Sequence, residues 1–363
     1  MVRLRSPAPG SVPEWPKGAD CKSVVSDFGG PNPPAPTRKS TSKEVLFSVI
    51  SDPSGTINNF DWSLYMRKTS EIRIRDPFIV AEKGIYYLYG TSDIWETERS
   101  IYVYKSTDME NWSDPTPIFT IPDDSWAVGE LWAPEVHRYN GKFYLFVSIL
   151  GKSGLRGVQI AVSETLDGMF ECIVNHPATP SYHCCIDGTL YVEDGTPYIV
   201  YSHDWPDNYV EEAGAFVGQI AAVELTPDLC EMVGEPFLLF NSNEAPISAG
   251  RPTRHTRNGV RMYRYGSDAP FVMKNDDGSL TLLWSPIPES TYIVASAVSK
   301  SGKIKGEWVH QTEAVFGNNG GHPMIFEDFD GKKKMCIHFP EKPPMERALV
   351  LDVEVENGIV KIK

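Results

Sequence analysis

The chain has 363 residues, 41% of them hydrophobic and 11% aromatic, and a formal net charge of −14. That composition supports a large core, and the acidic balance argues against a nucleic-acid or membrane-surface partner. No apolar run reaches the roughly 18 residues of a transmembrane helix, and no secretory signal stands at Met1. Six cysteines (Cys21, Cys172, Cys184, Cys185, Cys230 and Cys336) have neither zinc-ligand spacing nor disulfide-framework density. They read as small buried hydrophobes in a reducing, cytoplasmic setting.

Residues 1–44 are rich in Pro and Gly with no hydrophobic period, which predicts a disordered arm. The run Val12 to Ser23, followed by Gly29-Gly30-Pro31, also reads like a translated transfer-RNA gene, which would place the true start further downstream. Residues 45–363 are expected to form the folded unit. It opens on a short strand, Val45 to Ile50, that could close a ring.

A layout of two short strands around a turn then occurs five times. It begins with Arg75-Asp76-Pro77-Phe78, Gly84 and Ile85-Tyr86-Tyr87-Leu88-Tyr89. The second copy is Trp132-Ala133-Pro134-Glu135, Asn140-Gly141 and Phe143 to Ser148. The third is Cys185-Ile186-Asp187-Gly188, Asp194-Gly195 and Tyr198 to Ser202. The fourth is Ser267-Asp268-Ala269-Pro270, Asp277-Gly278 and Leu280 to Ser285. The fifth is Gly321-His322-Pro323, Asp330-Gly331 and Met335 to His338. Asn-Gly and Asp-Gly between β-rich runs are strong hairpin signals. Further strands fit Tyr102–Ser106, Val158–Ser163, Gln219–Leu225, Tyr292–Ala297 and, at the end, Leu349–Val355. No stretch has the length and 3.6 period of a substantial helix.

A repeat of about 50 residues made of short strands predicts an all-β, five-bladed β-propeller. The start of each innermost strand then faces a shared mouth. Asp76, Glu135, Asp187, Asp268 and His322 are expected to converge there. Each alone could be a turn cap; a ring of carboxylates points to function. The longer interval between Asp187 and Asp268 predicts an insertion above the mouth.

Arg75-Asp76-Pro77, Trp132-Ala133-Pro134-Glu135, Ile186-Asp187-Gly188-Thr189-Leu190-Tyr191, Glu244-Ala245-Pro246 and Gly320-Gly321-His322 together resemble glycoside hydrolase family 43. The resemblance covers about 72–338. It implies hydrolysis of α-L-arabinofuranosides or β-D-xylosides with inversion, acting on a plant-type oligosaccharide or polysaccharide side chain.

Inversion needs a base and an acid about 6.5–9.5 Å apart, with room for a water. By resemblance Asp76 is the base and Asp187 the carboxylate that orients the acid and raises its pKa. Two positions compete for the acid. Glu244 has the family's residue type and motif and is preferred; Asp268 sits at the repeat position but is one methylene shorter, and would otherwise bind a sugar hydroxyl. Arg75 would frame the base, Glu135 would contact substrate or support the base, and Trp132, Trp205 and Trp284 are candidate sugar platforms. No cofactor is required by this chemistry. His322 resembles an axial histidine that in some members faces a water-coordinated Ca²⁺. Two alternatives remain, a non-catalytic carbohydrate-binding propeller and a retaining sucrose-type glycosidase with Asp76 as nucleophile.

Overall fold

The computed structural model describes residues 66–91, 99–257 and 260–363. The arm at 1–44 and the strand expected at 45–50 lie outside these. Five four-stranded antiparallel sheets follow one another along the chain. Blade 1 is Arg75–Glu82, Ile85–Thr91, Ser100–Ser106 and Thr116–Thr120. Blade 2 is Ala127–Tyr139, Lys142–Gly151, Arg156–Ser163 and Glu171–Cys172. Blade 3 is Cys185–Glu193, Thr196–His203, Gln219–Leu225 and Met232–Asn241. Blade 4 is Asp268–Lys274, Leu280–Ser285, Ala295–Ser299 and Val309–His310. Blade 5 is Gly321–Glu327, Lys333–Phe339, Arg347–Glu356 and Ile359–Ile362. The innermost strands touch in the cycle 1–2–3–4–5–1, so the sheets close into a propeller. Helix among the described residues is limited to three-residue 3₁₀ turns.

The turns explain the hairpins. Lys83-Gly84, Asn140-Gly141 and Asp194-Gly195 have positive φ at both positions, as a two-residue type I′ turn requires. In blades 4 and 5 the Asp-Gly pairs instead sit within longer loops at 275–279 and 328–332. The strand expected to end the chain, at Leu349–Val355, is the third of blade 5; a turn at Asn357-Gly358 adds Ile359–Ile362 outside it.

The core lies between blades rather than within them. One buried cluster joins Leu88, Ile101 and Val103 of blade 1 to Leu145 and Val147 of blade 2 and to Met324 and Cys336 of blade 5. Others join blades 2 and 3, 3 and 4, and 4 and 5. A single sheet could not bury both faces; stacking around an axis does so, at about 1.5–3 kcal/mol per large apolar side chain removed from water.

The insertion is a sheet of its own, built from two places. Tyr209–Val210 and Ala215–Val217 leave blade 3 between its second and third strands, and Thr253–Arg257 and Val260–Tyr265 lie between blades 3 and 4. Ala215–Val217 and Val260–Tyr265 pair in parallel.

Candidate active site

Each innermost strand carries a register shift at its start, between Arg75 and Phe78, Trp132 and Glu135, Ile186 and Thr189, Asp268 and Phe271, and Gly321 and Met324. Within each shift one non-glycine residue has positive φ. These are Asp76 at 51°, Ala133 at 45°, Asp187 at 54°, Ala269 at 56° and His322 at 59°. Such backbone costs on the order of 1–3 kcal/mol per residue and persists only where its surroundings impose it. The following residue is Pro in four copies and Gly188 in the third, where a Cβ would come within 2.9 Å of Val158 and Ile199.

This register corrects two expectations. Ala133 and Ala269, rather than Glu135 and Asp268, occupy the repeat position in blades 2 and 4. Glu135 lies two residues further along, buried, with its carboxylate 2.8 Å from His137 Nε2. Asp268 lies one residue earlier and remains beside the cluster.

The strained N–H groups tie the blades together. Ala133 N–H donates to Thr91 Oγ1 at 2.8 Å, Asp187 N–H to Ser148 Oγ at 2.8 Å and His322 N–H to Ser285 Oγ at 2.9 Å. Asp76 N–H donates to His338 Nδ1 at 3.2 Å. Each acceptor lies in the last part of the second strand of the preceding blade and is buried. Between blades 3 and 4 the pattern changes: Ser202 Oγ donates to the Ser267 carbonyl, and Ala269 N–H turns to Asp187 Oδ2 at 2.9 Å. The sequence had a signal for these residues, the polar side chain near the end of each apolar second strand.

Asp76 is the most strongly held side chain. Thr91 Oγ1 donates to its Oδ2 at 2.6 Å, and His322 Nδ1 lies 3.1 Å from its Oδ1. Burial alone would raise its pKa, but the charge and hydrogen bond of His322, with Arg75 behind, hold it well below the usual carboxylate range. Burial likewise opposes the charge on His322, yet Asp76, Asp187 and Glu135 outweigh it and push its pKa up to about 9. Arg75 forms a part-buried network under this pair, 2.8 Å from Glu341 and 3.4 Å from Glu346, and His338 Nε2 reaches Glu341 at 2.5 Å. Arg75 is thus linked to Asp76 through Glu341 and His338.

Asp187 and Asp268 shift the other way. Burial is the main cause for both. Asp268 and Asp76 add to it at Asp187, and Asp204 adds to it at Asp268, against opposing His322. Asp204, pushed up to about 6 by burial and by Asp187 and Asp207 against Arg264, joins them. Asp204 and Arg264 are site residues that the sequence did not single out. Arg264 comes from the insertion sheet and lies 4.7 Å over the ring of buried Trp205.

Glu244 stands elsewhere. It is exposed beyond the outermost strand of blade 3, and its carboxylate accepts from Asn241 Nδ2 at 2.8 Å and from Asn241 N–H at 3.2 Å. It also interacts electrostatically with His310, on the outer strand of blade 4. Trp284 is fully buried against Phe240 and is a core residue. Trp132 is half-buried with the Arg156 guanidinium stacked 3.1 Å over its ring, which leaves one face at most for a sugar.

The expected axial Ca²⁺ would face His322 through water rather than be ligated by it directly. The ion takes six to eight oxygen ligands, whereas His322 offers nitrogen only, and its Nδ1 is committed to Asp76.

A sequence profile of glycosyl hydrolases family 43 matches residues 68–353. The chain belongs to glycosyl hydrolase family 43. Among solved family-43 and related structures, an endo-arabinase from Bacteroides thetaiotaomicron VPI-5482 superposes with a TM-score of 0.71 at 34% identity, covering 81% of this chain and 99% of that one. A thermostable family-43 glycoside hydrolase gives 0.69 at 25% identity, covering 82% and 96%. The extracellular endo-α-(1→5)-L-arabinanase 1 of Bacillus subtilis (strain 168) is 29% identical over 36% of this chain and 44% of its own. A xylosidase/arabinosidase of Bacteroides ovatus is 24% identical over 56% and 71%. The chain thus spans less than half the length of the first curated relatives that it matches, 44% and 30%.

Proposed function

We propose that this family-43 chain hydrolyses O-glycosidic bonds of α-L-arabinofuranosyl or β-D-xylosyl substrates with inversion, Asp76 acting as general base and Asp268 as general acid. The observation that carries the reading is the opposed tuning of carboxyls at one mouth. Asp76 is kept ionised beside His322, while Asp187 and Asp268 are pushed toward the protonated form. Carboxyls whose environments drive their pKa values apart are the usual signature of an acid–base pair.

Asp76 takes a proton from a water, which attacks the anomeric carbon. Asp268 protonates the departing glycosidic oxygen on the opposite face. Asp187, bonded to Ala269 N–H, fixes the backbone next to the acid, and the like charges of Asp204 and Asp76 help keep Asp268 protonated. Glu244, preferred for this role on motif grounds, gives way because its carboxylate is turned to Asn241. The arabinan- and xylan-type names of the relatives support the substrate class. The product anomer, read by proton NMR on aryl arabinofuranosides and xylosides, tests the mechanism; initial retention would replace it with the nucleophile role for Asp76. The short reach of Asp268 favours one second reading, sugar binding without turnover, which any measured hydrolysis ends.

A further inference from the structure

A second cluster lies on the wall of the mouth, outside the acid–base machinery. His183 precedes the first strand of blade 3, and His203 ends the second. Asp207 ends the 3₁₀ turn Trp205–Asp207. One ligand atom from each lies within 4.8 Å of the others. His203 Nε2 is 2.7 Å from Asp207 Oδ1, and His183 Nδ1 is 3.4 Å from Asp207 Oδ2. We propose that His183, His203 and Asp207 bind one divalent transition-metal ion of the zinc type.

Which nitrogen of His203 carries its proton decides whether the ring can ligate an ion here. Glu244 can only accept, so Asn241 must present its NH₂ to it, at 2.8 Å. Asn241 Oδ1 then accepts from Gln219 Nε2 at 2.8 Å. Gln219 Oε1 is thereby left to face His203 Nδ1, at 2.8 Å, and must accept from it. The Nδ1 proton is fixed by a chain that ends on a carboxylate. The Nε2 lone pair consequently points at the Asp207 carboxylate, where it needs a second proton or a metal ion.

This is the arrangement of a metal-bound imidazole, one nitrogen held by an outer acceptor and the other free to ligate. The carboxylate is positioned too, since Cys184 N–H donates to Asp207 Oδ2 at 3.0 Å. Two imidazoles and a carboxylate suit Zn²⁺ rather than Ca²⁺ or Mg²⁺. Bonds of 2.0–2.2 Å in a tetrahedral site set ligand atoms about 3.3 Å apart. The His183 contact to Asp207 Oδ2, at 3.4 Å, is close to this; the His203 contact to Oδ1, at 2.7 Å, has to open slightly, and the three ligand atoms, within 4.8 Å of one another, have to draw together around one ion. His183 is 40% exposed at its side chain, which gives an ion access and leaves a fourth position for water or a small oxygen ligand. Such an ion would clamp the segment before Cys184 to the turn that carries Asp204. The inference does not depend on the proposed hydrolysis.

The test is a titration of the chelator-stripped full chain with Zn²⁺ against a chromophoric competitor, repeated with Co²⁺ for its visible spectrum. The expected result is one competitor-resistant Zn²⁺ per chain and an intense, tetrahedral-type Co²⁺ absorption. His183→Gln and Asp207→Asn should each weaken binding at least 100-fold, and Gln219→Leu about 10–100-fold as an outer partner. Because the His183 side chain is only half-buried, His183→Gln decides the matter even if the other variants misfold. No bound equivalent in the native chain, or one unchanged in His183→Gln, overturns the proposal; the latter would place the ion elsewhere.

Discussion

Asp76 Oδ1 and His322 Nδ1 lie 3.1 Å apart, although 246 residues separate them and they open the innermost strands of blades 1 and 5. The pair thus stands where the first and last blades meet. The same contact that holds the proposed base ionised also helps close the ring.

Asp76→Ala should lower kcat on aryl arabinofuranosides or xylosides by about 10²–10⁴-fold, the range for loss of a general base. The circular dichroism spectrum should remain that of the native chain. Native-like turnover in a folded Asp76→Ala protein removes the base assignment.

Asp268→Asn should cost activity in proportion to how poor the leaving group is, because a nitrophenolate leaves without a proton and a sugar alkoxide does not. The loss on an oligosaccharide should exceed that of Glu244→Gln. The reverse ranking would return the acid role to Glu244.

Stability should depend on pH in a manner set by the site. Asp76, with its pKa lowered, contributes stability that is present above its ordinary value of 3.8 and is lost as pH falls below it. His322, with its pKa raised from 6.5 to about 9, contributes stability that is full below 6.5 and lost as pH rises through 9. Asp187 and Asp268, with raised pKa values, contribute most below 3.8 and lose that as pH rises. Thermal melts should therefore fall between pH 6.5 and 9, and His322→Gln should flatten that limb. An unchanged slope in the variant would separate His322 from it.

Thr91→Val removes the donor to Asp76 and the acceptor of Ala133 N–H while keeping the shape. A buried, unsatisfied N–H costs about 1–3 kcal/mol. Denaturant unfolding should show a loss of that size, and Thr91→Ser should restore most of it. A neutral Thr91→Val would mean that the inter-blade bond adds nothing to stability.

The sequence by itself determined the five-fold repeat, and with it the propeller. Hairpin turns and apolar second strands are local features that a chain displays without tertiary contacts. It also placed Asp76, Asp187 and His322, because the polar residue there directly precedes Pro or Gly. Only the tertiary structure decided the register of blades 2 and 4. Ala133 and Ala269 also precede Pro, but neither has a polar side chain to mark it and a bulge inserts one extra residue there, so backbone φ and cross-strand pairing set them apart from Glu135 and Asp268. Burial of Trp284, the turning of Glu244 onto Asn241 and the arrival of Arg264 beside Asp204 were likewise settled by packing between segments far apart in the chain. Such contacts leave no periodic trace, since each depends on how neighbouring blades and the inserted sheet come together in space.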